Sequence, residues 1–288
     1  MYKRKNLIII SCILAFLIFS SIFNSDEELL NTLNIGVINI EGPIMDSKKT
    51  IKDLDDFNKR KDVDAIVLWI NSPGGAVVPS QEIYKKVDRI STNSNKPIVA
   101  SISSLGASGG YYIAIGADQI IANSGSIVGS IGVIMNFPIT KDLFQKIGLK
   151  FETFKSGEYK DSGSPYRDVN PKDAKYFQDI VDDLHFQFMN EVSIQRKMTI
   201  DEVENFANGQ IFTGNMAYEY DLIDSVGTFE DALVITKKMT NIEKEIKLIY
   251  PEEDNSIFLS LFESINKMRI FMMEYNNIPL YFMGGMND

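Results

Sequence analysis

Between residues 96 and 115, a segment with a strand pattern is followed by a glycine-rich turn and then by a segment with a helix pattern. Residues 96–102 favour a strand, residues 106–110 (GASGG) favour a sharp turn, and residues 111–115 favour a helix. A strand that turns directly into a helix predicts a fold in which helices pack on a sheet. Ser108 lies in this turn, where its hydroxyl is presented beside the unpaired N–H groups that begin a helix.

Strand and helix patterns alternate along the rest of the chain. Strands are predicted at residues 35–40, 64–70, 120–122, 126–134, 149–154 and 222–224. Helices are predicted at residues 50–61, 79–90, 141–147, 171–197, 199–207, 216–220, 230–238 and 258–273, with Asn170 as the N-cap of the longest one. This alternation predicts an α/β fold with a parallel sheet in one domain.

The amino-terminal segment has the pattern of a membrane anchor. Lys3, Arg4 and Lys5 precede residues 7–23, which carry no charge, and acidic residues follow at 26–28. The length is at the short end for a spanning helix, and the charge order places the amino terminus in the cytoplasm. A cleaved signal peptide is the alternative, although no A-x-A-like site follows the apolar run.

Composition excludes several classes of function. The net charge of −10 argues against a nucleic-acid partner, because phosphate binding needs clustered Lys and Arg. Cys12 is the single cysteine, so the chain can form no internal disulfide. His185 is the single histidine, and it lies within the long helix pattern.

Ser108 needs a base if it is to act as a nucleophile. The pattern Gly106-x-Ser108-x-Gly110 matches the nucleophile elbow of α/β-hydrolases, which would require His185 as the base. A lysine is the alternative base, but its pKa must fall from about 10.4 to about 7–8, roughly 4 kcal/mol, by burial away from carboxylates. Lys155 and Lys160 both lie on a polar loop after a predicted strand, and the residue pattern does not choose between them.

Several ordered blocks resemble the short, single-repeat form of signal peptide peptidase A, peptidase family S49. The resemblance covers about residues 35–232 and the amino-terminal anchor. The blocks are residues 71–75 (NSPGG), 107–114 (ASGGYYIA), 129–133 (GSIGV), 155–161 (KSGEYKD), 163–167 (GSPYR) and Thr213-Gly214 with Ala217.

This resemblance implies a role for each site residue. Ser108 would be the nucleophile and Lys160, the second lysine of its block, the general base. Ser130 would orient the base or relay its proton. Gly75 and Gly109 would donate backbone N–H groups to an oxyanion hole.

The resemblance also implies a fold of the Clp protease/crotonase kind, with repeated ββα units after a single transmembrane helix. The expected divisions are a basic stub and anchor at 1–25, a serine–lysine peptidase domain at 26–250, and a carboxy-terminal helix and apolar tail at 251–288. The expected activity is degradation of remnant signal peptides and other apolar peptides at the bacterial cell membrane, with the catalytic domain on the extracytoplasmic side. No metal or cofactor is expected.

The resemblance further implies ring- or dome-like homo-oligomers, in which Lys160 can serve Ser108 of a neighbouring subunit. Three alternatives remain at this stage: a related peptidase that acts on a particular membrane protein, an α/β-hydrolase-type esterase that uses His185, and a non-enzymatic membrane scaffold of the same fold.

Overall fold

A mostly parallel sheet with helices packed against it forms the body of the molecule. The computed structural model of the chain describes residues 32–252 and 280–282. The strands are β1 Thr32–Glu41, β2 Ala65–Ser72, β3 Gly74–Ala76, β4 Ile98–Ala107, β5 Gln119–Ala122, β6 Ile127–Gly129, β7 Ile211–Thr213, β8 Ser225–Val226, β9 Glu245–Ile249 and β10 Leu280–Phe282.

The helices follow the strands in alternation through most of the chain. They are α1 Lys48–Lys59, α2 Val77–Asn93, α3 Gly109–Ala114, α4 Lys141–Lys146, α5 Pro171–Arg196, α6 Ile200–Glu204, α7 Gly214–Glu219 and α8 Phe229–Thr240, with a 3₁₀ turn at Glu158–Asp161. The Asn170 side chain accepts hydrogen bonds from the N–H groups of Lys172 and Asp173 and caps α5, as the sequence predicts.

The described residues form an eight-stranded sheet with the central order β7-β6-β4-β2-β1-β9. The pairs along this path are parallel except β6–β7, which is antiparallel. The first half of β4 also pairs with β5, which in turn pairs with β8, whereas the second half of β4 pairs with β6. The expected parallel α/β architecture is therefore confirmed.

Both faces of the sheet are buried, as is usual for a parallel sheet covered by helices. On one face, apolar side chains from β1, β2 and β4 pack with α1, α2 and α3 in the larger core. On the other face a smaller cluster packs against α8, where Trp69 of β2 lies 5.2 Å from the ring of Phe229. The continuous apolar pattern of β2 reflects this burial on both sides.

The structure differs from the sequence-based elements at several places. Residues 149–154 do not form the predicted strand; Leu149, Phe151 and Phe154 are exposed, and no strand within residues 32–252 and 280–282 pairs with this segment. The predicted strand 126–134 is reduced to β6, and the predicted strand 222–224 does not form; the short strand β8 begins directly after it. The strand β9 was not predicted, although its residues EIKLI alternate between polar and apolar side chains.

Two sequence-based predictions lie outside the described residues: the anchor at 7–23 and the helix at 258–273. Within residues 32–252 and 280–282, no helix combines the length and the apolar character that crossing a membrane requires. The repeated ββα units remain a prediction.

Candidate active site

Three parallel strands end at the same edge of the sheet, and the proposed site residues follow them. Ala107 at the end of β4 is in register with Gly129 at the end of β6, so Ser108 and Ser130 follow neighbouring strands at the same level. Adjacent strands lie about 4.8 Å apart, which makes the two serines direct neighbours. On the other side of β4, Ser72 at the end of β2 is in register with Gly106.

Ser108 adopts a backbone conformation that residues other than glycine rarely take. Its φ is 52° and its ψ is −117°, immediately before α3. Its N–H donates to the Gly129 carbonyl at 2.7 Å, which holds the turn against β6. The Ser108 hydroxyl is buried and has no hydrogen-bond partner among the described residues. Strain and an unpaired buried hydroxyl are typical of functional sites rather than of structural turns.

Ser130 also has a positive φ, which is uncommon for a residue other than glycine. Its φ is also 52°, and it is buried. Its N–H donates to the carbonyl of Gln210 at 2.7 Å, which ties it to the segment before β7. The preceding Gly129 has a φ of +92°, and a Cβ there would lie 2.8 Å from the ring of Phe212. The turn after β6 is therefore fixed from both sides.

The two glycines of the proposed oxyanion hole contact each other. Gly109 is the first residue of α3, so its N–H has no acceptor within the helix. A Cβ on Gly109 would lie 3.2 Å from the nitrogen of Gly75 and 2.5 Å from the hydroxyl of Ser80. The structure thus brings both glycines beside Ser108, in a space that only glycine leaves open.

The direction of the Gly75 peptide group is set by Ile44. The Ile44 N–H donates to the Gly74 carbonyl, and the Ala76 N–H donates to the Ile44 carbonyl, both at 2.8 Å. Because successive peptide groups of a strand alternate in direction, the N–H and C=O of Gly75 face the opposite edge of β3.

Sequence reasoning missed the role of Ser72. Its buried hydroxyl donates to the carbonyl of Gly42 at 2.7 Å and accepts from the N–H of Gly74 at 3.1 Å. These bonds attach the glycine turn to the segment that carries Ile44. The serine of the NSPGG block was visible in the sequence, but only the folded chain shows that its hydroxyl positions the glycine turn.

The opposite edge of β3 is occupied by β10. The two strands pair antiparallel, with Tyr281 opposite Gly75, and β10 also lies close to α2 and α3. A carboxy-terminal segment of the chain therefore lies across the edge toward which the Gly75 peptide group points.

Lys160 does not hydrogen-bond to the Ser108 hydroxyl of the same chain. It is exposed on the 3₁₀ turn and lines a cavity with Phe137, Tyr166 and Phe177, and Ser108 is not part of that lining. No ion pair of Lys160 is found in residues 32–252. Lys155, the other candidate, donates to the Asp161 carboxylate at 2.6 Å and to the Glu158 carbonyl at 2.9 Å.

His185 gives no support for a histidine-based triad. Its Nε2 atom is buried without a hydrogen-bond partner among the described residues, and the same is true of the Ser108 hydroxyl. The two side chains therefore do not hydrogen-bond to each other. In the described part of the chain, no three side chains of His, Cys, Asp or Glu are grouped so that they could hold a metal ion.

Comparison with known proteins identifies the family. The model of peptidase family S49 matches residues 91–243. A Synechocystis sp. protein, provisionally named a protease, is 43% identical over 185 residues, which cover 64% of this chain and 66% of the relative. A second provisionally named protease, from Methanocaldococcus jannaschii, is 36% identical over 210 residues, 73% of this chain and 67% of the relative.

A third relative carries a more specific name. A protein of Enterococcus faecium, provisionally named signal peptide peptidase SppA, is 38% identical over 178 residues, covering 62% of this chain and 52% of the relative. The matches thus span between half and two thirds of the length of these three relatives. The chain belongs to peptidase family S49, the family of signal peptide peptidase A.

Proposed function

We propose that the chain is a serine endopeptidase in which Ser108 is the nucleophile and Lys160 is the general base. The observation that carries this proposal is the edge of the sheet where Ser108, Ser130, Gly75 and Gly109 converge. A strained serine beside the backbone N–H groups of two glycines is suited to attack on a carbonyl whose developing oxyanion must be held.

The choice of Lys160 over Lys155 is supported by their ion pairs. Lys155 is bound to the Asp161 carboxylate and to the Glu158 carbonyl, so its amine is already engaged within its own loop. Lys160 has no carboxylate partner in the described residues. A general base must be able to lose its proton near neutral pH, which favours the unpaired amine.

Lys160 would act on Ser108 of a second copy of the chain. The segment that carries Lys160 has a dense set of exposed apolar side chains, including Phe154, which is 95% exposed. Exposed apolar surface of this extent marks an interaction site. The Ser108 hydroxyl has no hydrogen-bond partner among the described residues, so the occupant that fits both observations is another copy.

The proposed reaction has two steps. The neutral Lys160 amine accepts the proton of the Ser108 hydroxyl while Oγ attacks the peptide carbonyl, and the N–H groups of Gly75 and Gly109 hold the oxyanion. The resulting ammonium donates its proton to the leaving amine as the C–N bond breaks. Water, deprotonated by the same amine, then hydrolyses the ester and releases Ser108. Ser130, next to Ser108, would orient the amine or relay its proton.

The proposed substrates are remnant signal peptides and other apolar peptides at the bacterial membrane. An uncleaved anchor at residues 7–23 would hold the site close to such substrates, with the catalytic domain on the extracytoplasmic side. Recovery of the full chain in the soluble fraction after cell lysis, with no membrane-bound fraction, would contradict this location.

The decisive experiment measures hydrolysis of a quenched-fluorescent, leucine-rich peptide by the full chain in detergent. Ser108→Ala and Lys160→Ala should each lower kcat/KM by on the order of 10³-fold or more, since either change removes the activated nucleophile. Lys155→Ala is the matched control and should retain most of the activity. Activity of Lys160→Ala at the wild-type level would contradict the proposed base.

Two alternatives have distinct outcomes in the same assay. An esterase that uses His185 would be inactivated by His185→Ala, whereas a serine–lysine peptidase would keep its activity in that variant. A non-enzymatic scaffold would hydrolyse nothing, and Ser108 would not react with a fluorophosphonate probe.

A further inference from the structure

The carboxylate next to the proposed base is held by two cations. Asp161 directly follows Lys160 in the 3₁₀ turn. Its carboxylate accepts from Lys155 Nζ at 2.6 Å, from Arg167 Nε at 2.9 Å and from Arg167 Nη2 at 3.1 Å. The bonds to Arg167 form a two-pronged contact, the geometry in which an arginine binds a carboxylate most specifically.

Arg167 also binds a second carboxylate. Its Nη1 donates to Asp173, which is almost completely buried in the first turn of α5. Asp173 further accepts from the Ser162 hydroxyl at 2.7 Å and from the Asn170 amide at 2.9 Å. Arg167 therefore connects the turn that carries Lys160 to the beginning of the long helix.

The other charged groups around this turn are paired as well. Glu158 of the same turn pairs with Lys172 of α5 at 2.6 Å, and Asp168 pairs with Lys141 of α4. Phenols also lie near the turn: the ring of Tyr176 lies 5.0 Å from that of Tyr159, and Tyr166 lines the same cavity as Lys160. The carboxylates of Asp161, Asp173, Glu158 and Asp168 are each paired with a cation other than Lys160.

The charge on Asp161 persists at every working pH. The Arg167 guanidinium and then the Lys155 ammonium hold the pKa of Asp161 at about 2. Arg167 likewise lowers the pKa of Asp173, and the two carboxylates raise the pKa of Arg167. The stability that Asp161 gains from these contacts is present above its unfolded pKa of about 3.9 and is lost only as the pH falls toward about 2.

We propose that Arg167 is a positioning residue for the reaction: it binds Asp161 and thereby keeps that carboxylate from pairing with Lys160. The inference rests on the proposed role of Lys160. Asp161 lines the same cavity as Lys160. Without Arg167, Lys155 alone would hold the Asp161 carboxylate, which could then turn toward Lys160, and an adjacent carboxylate favours the protonated, inactive form of an amine.

The test is the pH dependence of kcat/KM for the leucine-rich peptide, measured on the full chain in detergent. The acid limb is the part of the profile in which kcat/KM rises with pH as the proposed base, Lys160, loses its proton. Arg167→Gln should shift this limb to higher pH by about one unit or more, because a nearby opposite charge changes the pKa of an amine by about 1–3 units. Asp161→Asn should shift the limb to lower pH, since it leaves two cations near the amine without their carboxylate. The double variant restores the charge balance and should return the limb close to its wild-type position.

Arg167→Lys serves as the conservative variant. It keeps the charge but loses the two-pronged contact, so its acid limb should lie between those of the wild type and Arg167→Gln. A purely structural role would lower activity by the same factor at every pH and leave all the limbs in place, which would overturn the inference. If Arg167→Gln does not fold, Asp161→Asn still tests the inference: a shift of its acid limb to lower pH supports the inference, and an unchanged limb overturns it.

The two proposals fail in different ways. Wild-type activity in Lys160→Ala would remove the base and with it the premise. An inactive Lys160→Ala combined with superimposable pH profiles for all the Arg167 and Asp161 variants would leave the base intact and reject the role of Arg167.

Discussion

At the scale of single residues, the site depends on backbone groups that approach each other without intervening side chains. Gly75 is enclosed by main-chain atoms: a Cβ there would lie 2.1 Å from the Ile44 carbonyl oxygen. Gly109 is enclosed by a side chain, since its Cβ would lie 2.5 Å from the Ser80 hydroxyl. These two kinds of crowding predict different responses to the same substitution.

Gly75→Ala should lower kcat by about 100- to 1000-fold, because β3 must move away from Ile44 and one oxyanion donor moves with it. Gly109→Ala should be partly repaired by Ser80→Ala, which removes the crowding hydroxyl, whereas Gly75→Ala should gain nothing from Ser80→Ala. The measurements are kcat and the thermal unfolding midpoint of each single and double variant. Equal repair of both glycine variants would show that the two glycines are not enclosed as described.

At the scale of elements, the short strand β3 connects the proposed oxyanion hole to the carboxy-terminal strand β10. Its three residues are held on one side by Ile44 and on the other by β10. An extended peptide that added to this edge would use the Gly75 peptide group that now faces β10. The carboxy-terminal strand and a peptide substrate would therefore compete for one edge.

Tyr281→Pro should weaken this competition, because proline has no N–H to donate to β3. We expect KM for the leucine-rich peptide to fall several-fold, with kcat little changed. Tyr281→Ala keeps the backbone N–H and is the matched control, so its KM should stay near the wild-type value. A KM in Tyr281→Pro equal to that of the control would mean that β10 does not limit access to β3.

At the scale of the whole molecule, the proposed nucleophile and base lie on different parts of the chain. Ser108 is buried at the sheet edge, whereas Lys160 is exposed among apolar side chains between α4 and α5. The arrangement predicts a site completed by a neighbouring copy, which a mixing experiment can detect.

An equal mixture of Ser108→Ala and Lys160→Ala chains, unfolded and refolded together, should recover up to about a quarter of the wild-type activity. This fraction follows because random assembly joins an intact serine to an intact lysine at about one interface in four. Each variant refolded alone is the control and should remain inactive. No recovery in mixed particles of wild-type size would favour a site formed within one chain.

The amino-acid sequence by itself determined the parts of this protein that depend on neighbouring residues. The apolar runs, the glycine turn at Ser108 and the Asn170 cap are short-range features, and the structure forms the strand, the turn and the helix where they predict them. The ordered blocks were also enough to identify the family, because a family is recognised from the order and spacing of residues along the chain and not from their positions in space.

Only the tertiary structure decided which of these residues meet. Strand register places Ser130 beside Ser108, and Ile44 sets the direction of Gly75, although neither relation can be read from local pattern. Residues 149–154 have the composition of a strand, but they pair with no strand in the described part of the chain. Pairing, close backbone approach and the sharing of Arg167 between two carboxylates are long-range contacts, whose energies depend on the packing of the whole chain.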